Sequence, residues 1–382
     1  MVLSGPAALA LDSSNLLQLH GFASQSFITT SDNNFFGETS SNDNFGFTEL
    51  GLNGSTTTTS SRLRLAGQLL LRRAGESDNG RARLDYGLID YTMLTTDNQR
   101  LGVRAGRILN PLGFYNETRD MAFTRPSILL PQSIYFDRTR DLAISSDGFQ
   151  LYGERRWNSD ELQWQLGAAA PRVDNKEIEV ALLRTDLPGG LEANTSFLGR
   201  VLWEHNGGEV RLALSTIQAN ISYAPGAIDP VPAGDITFEP TIVSAQYNSE
   251  SWSLTSEYAL RHFKYANFSP AINTSLTGDS YYLQGSYRLS SRHDIFARYD
   301  TTVVDRSDRN GEQYATLNPS TPAHRRYAKD LTLGTGYTIT PSLLLRGEWH
   351  HVDGTAWLPA LDNLQPTTRG WDMLSVLISY RF

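Results

Sequence analysis

The feature that most constrains this chain is a period of two that returns along its length. Segments of about ten residues place apolar side chains at every second position, with polar or charged ones between them. In Ser61–Arg72, Leu63, Leu65, Leu69 and Leu71 share one face, while Arg62, Arg64, Gln68 and Arg72 share the other. Only an extended strand sends successive side chains to opposite sides. The pattern repeats in 81–86, 161–166, 209–214, 281–289 and 295–300. The spans it predicts are 16–30, 43–54, 60–73, 80–94, 99–107, 147–158, 161–170, 196–206, 208–219, 237–249, 251–263, 279–290, 293–304, 328–340, 342–354 and 370–382. They number about 16, an even count.

Connections between these spans fall into two alternating classes. Asn158-Ser159-Asp160, Asn206-Gly207-Gly208, Asn248-Ser249-Glu250, Ser290-Ser291-Arg292 and Thr340-Pro341-Ser342 are short and made of hairpin-turn residues. The segments 108–146, 171–195, 220–236, 264–278, 305–327 and 355–369 are long. Short turns at one end and long loops at the other are what a transmembrane barrel requires. Arginines recur on the polar face deep inside the segments, and Tyr, Trp and Phe gather near segment ends, Trp349, Trp357 and Trp371 among them. In a sandwich the polar face would meet water. Here the pattern reads better with the apolar face on lipid, the aromatics as an interfacial girdle and the charges around an aqueous interior. Closure also removes the edge strands a sandwich would have to protect.

Composition agrees. The chain is 40% apolar, yet no stretch approaches the ~20 continuous apolar residues of a membrane helix. There is no cysteine, hence no disulfide framework or thiol metal site. A net charge of −8 without a basic block argues against a nucleic-acid partner. Residues 1–10 end in Ala8-Leu9-Ala10, a small-x-small pattern after an apolar stretch with Gly5-Pro6, and read as the remainder of a secretion signal; a frayed terminus is the alternative. Residues 11–382 then form one all-β domain, an antiparallel transmembrane barrel.

The last span ends in Ile378, Tyr380 and Phe382 on one face. With the strand count and the loop alternation, this C-terminal aromatic pattern resembles the trimeric 16-stranded porins of Gram-negative outer membranes, including the DcaP-like anion- and dicarboxylate-handling group. The resemblance covers the chain after the leader and specifies architecture better than solute. It implies a homotrimer, passive transport without a cofactor, and a terminal strand (Tyr380, Phe382) read by the barrel-assembly machinery. It also implies lipid and lipopolysaccharide around the barrel, and a third external loop folded into the pore.

That third loop follows Leu101–Arg107. Pro111, Pro126 and Pro131 and its internal apolar residues suggest an ordered segment, and unstructured loops of this length without a function are uncommon. An outward lid or subunit-contact loop is the competing reading. The loop carries Arg119, Arg125, Arg138 and Arg140 against Glu117, Asp120, Asp137 and Asp141, so it is roughly neutral. By alternation the wall contributes Arg62, Arg64, Arg72, Arg81, Arg83, Arg100 and Arg104, opposed there mainly by Asp85; Arg211, Arg288, Arg298 and Arg346 add to the lining elsewhere, partly offset by Glu209, Glu257, Asp300 and Glu348. An arginine-lined constriction favours small anions, carboxylates in particular. The alternative is that the arginines are locked to loop carboxylates, giving a transverse field and a general pore. A barrel enzyme or binding protein with a closed lumen is the third reading.

No Ser-His-Asp set stands out, and the seven histidines lack metal-ligand spacing; His350 and His351 should alternate in and out. Asp32, Glu38 and Asp43 could cluster around calcium, but such loops are more often solvated. No catalytic residue, metal or cofactor is assigned.

Overall fold

A computed structural model describes residues 17–41, 44–57 and 62–382. The proposed leader 1–10, Ser61 and Asp43 lie outside the described residues. The alternating spans form β1 (Leu17–Thr30), β2 (Phe47–Thr57), β3 (Leu63–Ala74), β4 (Asp78–Thr95), β5 (Gln99–Leu109), β6 (Ser145–Trp157), β7 (Asp160–Pro171), β8 (Gly190–Ala193) and β9 (Ser196–His205). They continue as β10 (Val210–Ala224), β11 (Gly234–Asn248), β12 (Trp252–Ala266), β13 (Thr274–Arg288), β14 (His293–Val303), β15 (Tyr327–Thr340), β16 (Leu343–Gly354) and β17 (Gly370–Arg381). Every ladder is antiparallel, and β1 closes the sheet on β17 from Phe22↔Arg381 to Thr30↔Met373. β8 and β9 both pair with β10, at Ala193↔Ile221 and Phe197↔Gln218, so they are one ribbon broken at Asn194-Thr195. The wall is therefore a closed 16-strand barrel with one extra segment.

The outer face is apolar. Leu50, Leu65, Leu69, Val243, Leu283 and Ile378 are each about half exposed, as are their counterparts around the wall. A continuous belt of this kind far exceeds the few hundred Å² that a soluble surface tolerates, and it is stable only against hydrocarbon. Asn158 (φ 51°) and Asn206 (φ 49°) adopt the left-handed backbone that their hairpins demand. At the closure, Phe382 exchanges backbone bonds with Gly21 (Phe382 N–H to Gly21 O, 3.0 Å; Gly21 N–H to Phe382 O, 3.2 Å). Its ring lies on the glycine, and a Cβ at Gly21 would stand 2.4 Å from it.

The structure corrects several expectations. At the long-loop end the strands run beyond their sequence limits, so the segments expected at 220–236 and 264–278 shrink to 225–233 and 267–273. There the zigzag continues on hairpins that rise beyond the belt. The connection Gly75–Ser77 is short although it lies at the long-loop end. The interior is not uniformly polar either. Ile28, Leu344, Val352, Met373 and Leu377 face inward and pack with Phe35, Phe36, Ile128, Leu129 and Leu358 of three loops. Trp357 and Trp371 belong to this interior cluster, each 1% exposed, rather than to a girdle; Trp349 does face outward. Loop residues pack on an inward-facing apolar seat, and period two cannot tell that seat from a lipid face.

Candidate pore constriction

Residues 110–144 link β5 to β6 through three single 3-10 turns (Asn116–Thr118, Ala122–Thr124, Asp137–Thr139) and α1 (Arg140–Ile144). Asn110 and Asn116 close the base, both reaching the Ala143 carbonyl at 3.0 and 2.8 Å. From there the segment bonds to inward-facing groups on strands far apart around the wall. Gly113 N–H donates to Ser215 of β10 (2.9 Å), Phe114 N–H to Glu257 of β12 (2.9 Å) and the Tyr135 hydroxyl to Glu257 (2.6 Å). Ile128 and Leu129 N–H donate to the two oxygens of Glu348 on β16 (2.8 and 2.9 Å), and Arg298 of β14 donates to the Leu129 carbonyl (3.1 Å). Leu112 and Ile134 pack on Ile217, Ile242 and Ala259. The three prolines stiffen a backbone whose polar groups are held by these side chains.

On the β2–β5 side the ties are ionic. Arg140 reaches Asp85 of β4 (3.0 Å), both oxygens of Asp120 (2.7 Å each) and Asp141 (3.5 Å). Arg72 joins Glu49 (3.0 Å) and Asp137 (2.8 Å), and Arg83 joins Asp78 (2.6 Å), Asp141 (3.4 Å) and Asp85 (3.7 Å). Burial pulls the Arg140 charge down, yet the three carboxylates hold its guanidinium well above the ordinary value. Burial likewise opposes the Asp120 charge, but Arg140 outweighs it and holds that carboxyl below its usual range. The gap left among Glu49, Arg72, Arg119, Asp120, Asp137 and Arg140 measures ≈ 10 Å³, room for about one water.

The expected site residues do not all come together. Arg83, Asp85, Arg119, Asp120 and Arg140 meet in the latch, Arg119 donating to Asp137 (3.4 Å) and to the Tyr135 carbonyl (3.2 Å). Arg125 shapes the loop instead of lining water: it is buried and donates to the carbonyls of Ser127 and Ile128. Arg138 points to the long-loop mouth and donates to the Leu358 carbonyl at 3.4 Å. Glu117 pairs with Arg200 of β9 (2.6 Å). Towards the short-turn end, Arg62 and Arg64 are exposed and make no ion pair among the described residues. Arg104 stacks on Tyr152 (4.4 Å) and sits 3.4 Å from Asp90. Phe382 and Tyr380 hold the closing strand, their rings 6.4 Å apart.

The wall is thus less positive than alternation implied. Asp85 does not stand nearly alone: Glu49, Asp78 and Asp90 also face inward, buried. Asp90 was missed because the β3–β4 register shifts between Gln68 and Leu69, opposite Asp85. An unbroken zigzag puts residues 85 and 90 on opposite faces; the bulge brings both inside. His350 and His351 do alternate, 1% exposed and exposed respectively. Asp32 accepts a bond from Ser31 (2.7 Å), and among the described residues no three metal-ligating side chains gather.

No family model matches this chain, and no curated protein matches it. Solved structures do. An anion-selective porin from Comamonas acidovorans superposes with a TM-score of 0.61 at 15% identity, over 96% of this chain and 99% of that one. The outer-membrane channel DcaP of Acinetobacter baumannii gives 0.57 at 14%, over 96% and 97%. The trimer form of OmpT, an outer-membrane protein of Vibrio cholerae, gives 0.54 at 11%, over 96% and 99%.

Proposed function

From the porin fold as premise, we propose that this chain is a passive diffusion pore of a Gram-negative outer membrane for small hydrophilic solutes. The observation that carries the reading is the segment 110–144, bonded to inward-facing groups of β4, β10, β12, β14 and β16 in a barrel that wears apolar side chains outside. A segment held at those points narrows the lumen. Protein contributes water-filled space and size exclusion, and no chemistry is assigned to it. The trimer form of OmpT supports a homotrimer. Lipid and lipopolysaccharide would meet the outer belt, and the barrel-assembly machinery the final strand.

Charge selectivity follows from which arginines are already neutralised. Arg72, Arg83, Arg119 and Arg140 share their carboxylates within the latch, so a ring of free positive charge is not what the constriction offers. It offers opposed charges and a transverse field. A mild anion preference rests on Arg64 and Arg100, exposed and without ion pairs among the described residues, with Arg104 half-compensated by Asp90. Planar-bilayer recording tests this. Open channels with a small reversal potential toward chloride in a salt gradient are expected, and Arg64→Glu shifts it toward the cation. Bilayers that stay silent with folded protein refute the pore; a cation-selective wild type refutes the charge assignment.

A further inference from the structure

At the long-loop mouth a second set of arginines is arranged in the opposite sense to the latch. Arg138 lies within a 3-10 turn of the 110–144 segment, Arg261 projects from β12, and Arg184 (φ 65°) caps α2 (Lys176–Leu183). Arg326 closes the 3-10 turn Ala323–Arg326 ahead of β15. Aromatic faces hold them: Arg261 lies 4.7 Å over Phe136, and Arg184 and Arg326 flank Tyr314 at 4.8 and 4.1 Å. Tyr265 lies in the fields of Arg138, Arg184 and Arg326 together, and Arg138 in turn acts on Arg261, which ties the fourth to the set.

None of these four forms an ion pair among the described residues. The carboxylates nearby are engaged elsewhere. Glu177 accepts the N–H groups of Ala360 and Leu361 (2.7 and 3.0 Å). Asp279 takes Arg309 (2.7 Å), and Asp305 and Asp308 accept from Ser307 and Tyr314 of their own loop (2.9 and 2.8 Å). The Nε atoms of Arg138, Arg261 and Arg326 are buried without a partner, and Arg261 and Arg326 are each 8% exposed. Leaving buried guanidinium groups uncompensated is costly, and a counter-ion from solution is the remaining remedy.

We propose that this cluster is a binding site for a small oxyanion, a phosphate or carboxylate, at the long-loop mouth above the constriction. Guanidinium forks match such groups bidentately, and the aromatic walls strengthen the attraction by excluding water. The electrostatic contrast with the latch agrees. Burial, then Glu177 in the opposite direction and Arg325 with it, leaves Arg138 below its ordinary value, and burial with Arg184 does the same to Arg326, whereas Arg140 is held above. An anion seated here would relieve that strain. In the diffusion-pore reading, on which this use rests, the site concentrates anionic solute ahead of the constriction; binding itself does not require conduction.

The test is equilibrium binding of inorganic phosphate to the detergent-solubilised full chain, by calorimetry, with a dicarboxylate such as succinate as the second probe. Saturable binding of one oxyanion per chain is expected, weakened about tenfold by Arg326→Gln and about tenfold by Arg184→Gln. Arg184 is exposed, so its variant keeps the test valid should Arg326→Gln fail to fold. Absence of saturable binding by either probe, or binding unchanged in both variants, overturns the proposal. Channel recording is scored separately: a conducting barrel that binds no oxyanion refutes the site alone, and a silent barrel that binds phosphate refutes the pore alone.

Discussion

Replacing Arg140 by Met should release the 110–144 segment while leaving the barrel closed. Arg140 is the one cation that touches Asp85, Asp120 and Asp141 together, and its side chain is 3% exposed against 0, 8 and 8% for theirs. Taking it away strands at least two buried carboxylates, a loss of about 3–5 kcal/mol, or roughly two to three and a half decades in the latched-to-released ratio. Ladder bonds of β3 and β4 do not depend on it. The chain has no cysteine, so Thr124→Cys gives a single labelling site on an exposed position of the segment. A nitroxide there should be immobilised in the parent and mobile in the Arg140→Met background, with single-channel current turning noisy. Adding Asp85→Asn and Asp120→Asn to Arg140→Met should recover much of the loss, because the uncompensated charge, not the missing contact, is the main cost. Acid gives the same answer by another route. Asp120 and Asp141 are held below the usual 3.8 despite burial, by Arg140 and by Arg83 first respectively. A depressed carboxyl contributes stability that is complete above its unfolded value and lost only as pH falls through the folded one. The label should therefore stay immobile from pH 7 down to about 4. A label that remains rigid in Arg140→Met, with quiet channels, refutes the latch.

Further outcomes follow from single contacts. Burial raises Glu177 on α2, so its ionisation costs folding stability as pH rises through that raised value, a cost that the N–H groups of Ala360 and Leu361 partly offset because they bond best to the charged carboxylate. Glu177→Gln, which keeps an acceptor without the charge, should cost far less than Glu177→Ala in thermal unfolding of the barrel. Glu348→Ala removes the acceptor of two buried N–H groups and should mobilise residues 128–129 by about 2–5 kcal/mol, read by proteolysis of the loop. Leu283→Arg, on the outer face of β13, should lower barrel stability by about 2–4 kcal/mol while Ser286→Arg, facing inward, does not; equal effects would invert the wall. Gly21→Val drives a side chain into the Phe382 ring and should slow barrel closure in refolding gels.

How much was legible in advance differs by feature. Strand β14 was expected at 293–304 and runs His293–Val303; β15 was expected at 328–340 and runs Tyr327–Thr340. Such segments are legible because side-chain parity is local: each residue reports its face through its own polarity. The seat of the inner loop was not. Met373 and Leu377 follow the same alternation as Leu374 and Val376 beside them, yet one pair is buried inside and the other meets lipid. Trp357 and Trp371 were misplaced for the same reason, since an aromatic at a strand end fits an interface and an interior cluster equally.

The chain's own order of residues determined the period, the number of strands, the hairpin turns and the position of the long segment after β5, all of which depend on near neighbours. Tertiary structure alone decided the net charge of the barrel's inward face. That charge depends on which arginines meet carboxylates across 20 or 55 residues of chain, as Arg140 meets Asp120 and Asp85, and on one register shift that turns Asp90 inward. Pairing and bulges are set by how the whole sheet closes, and no local rule of polarity carries that information.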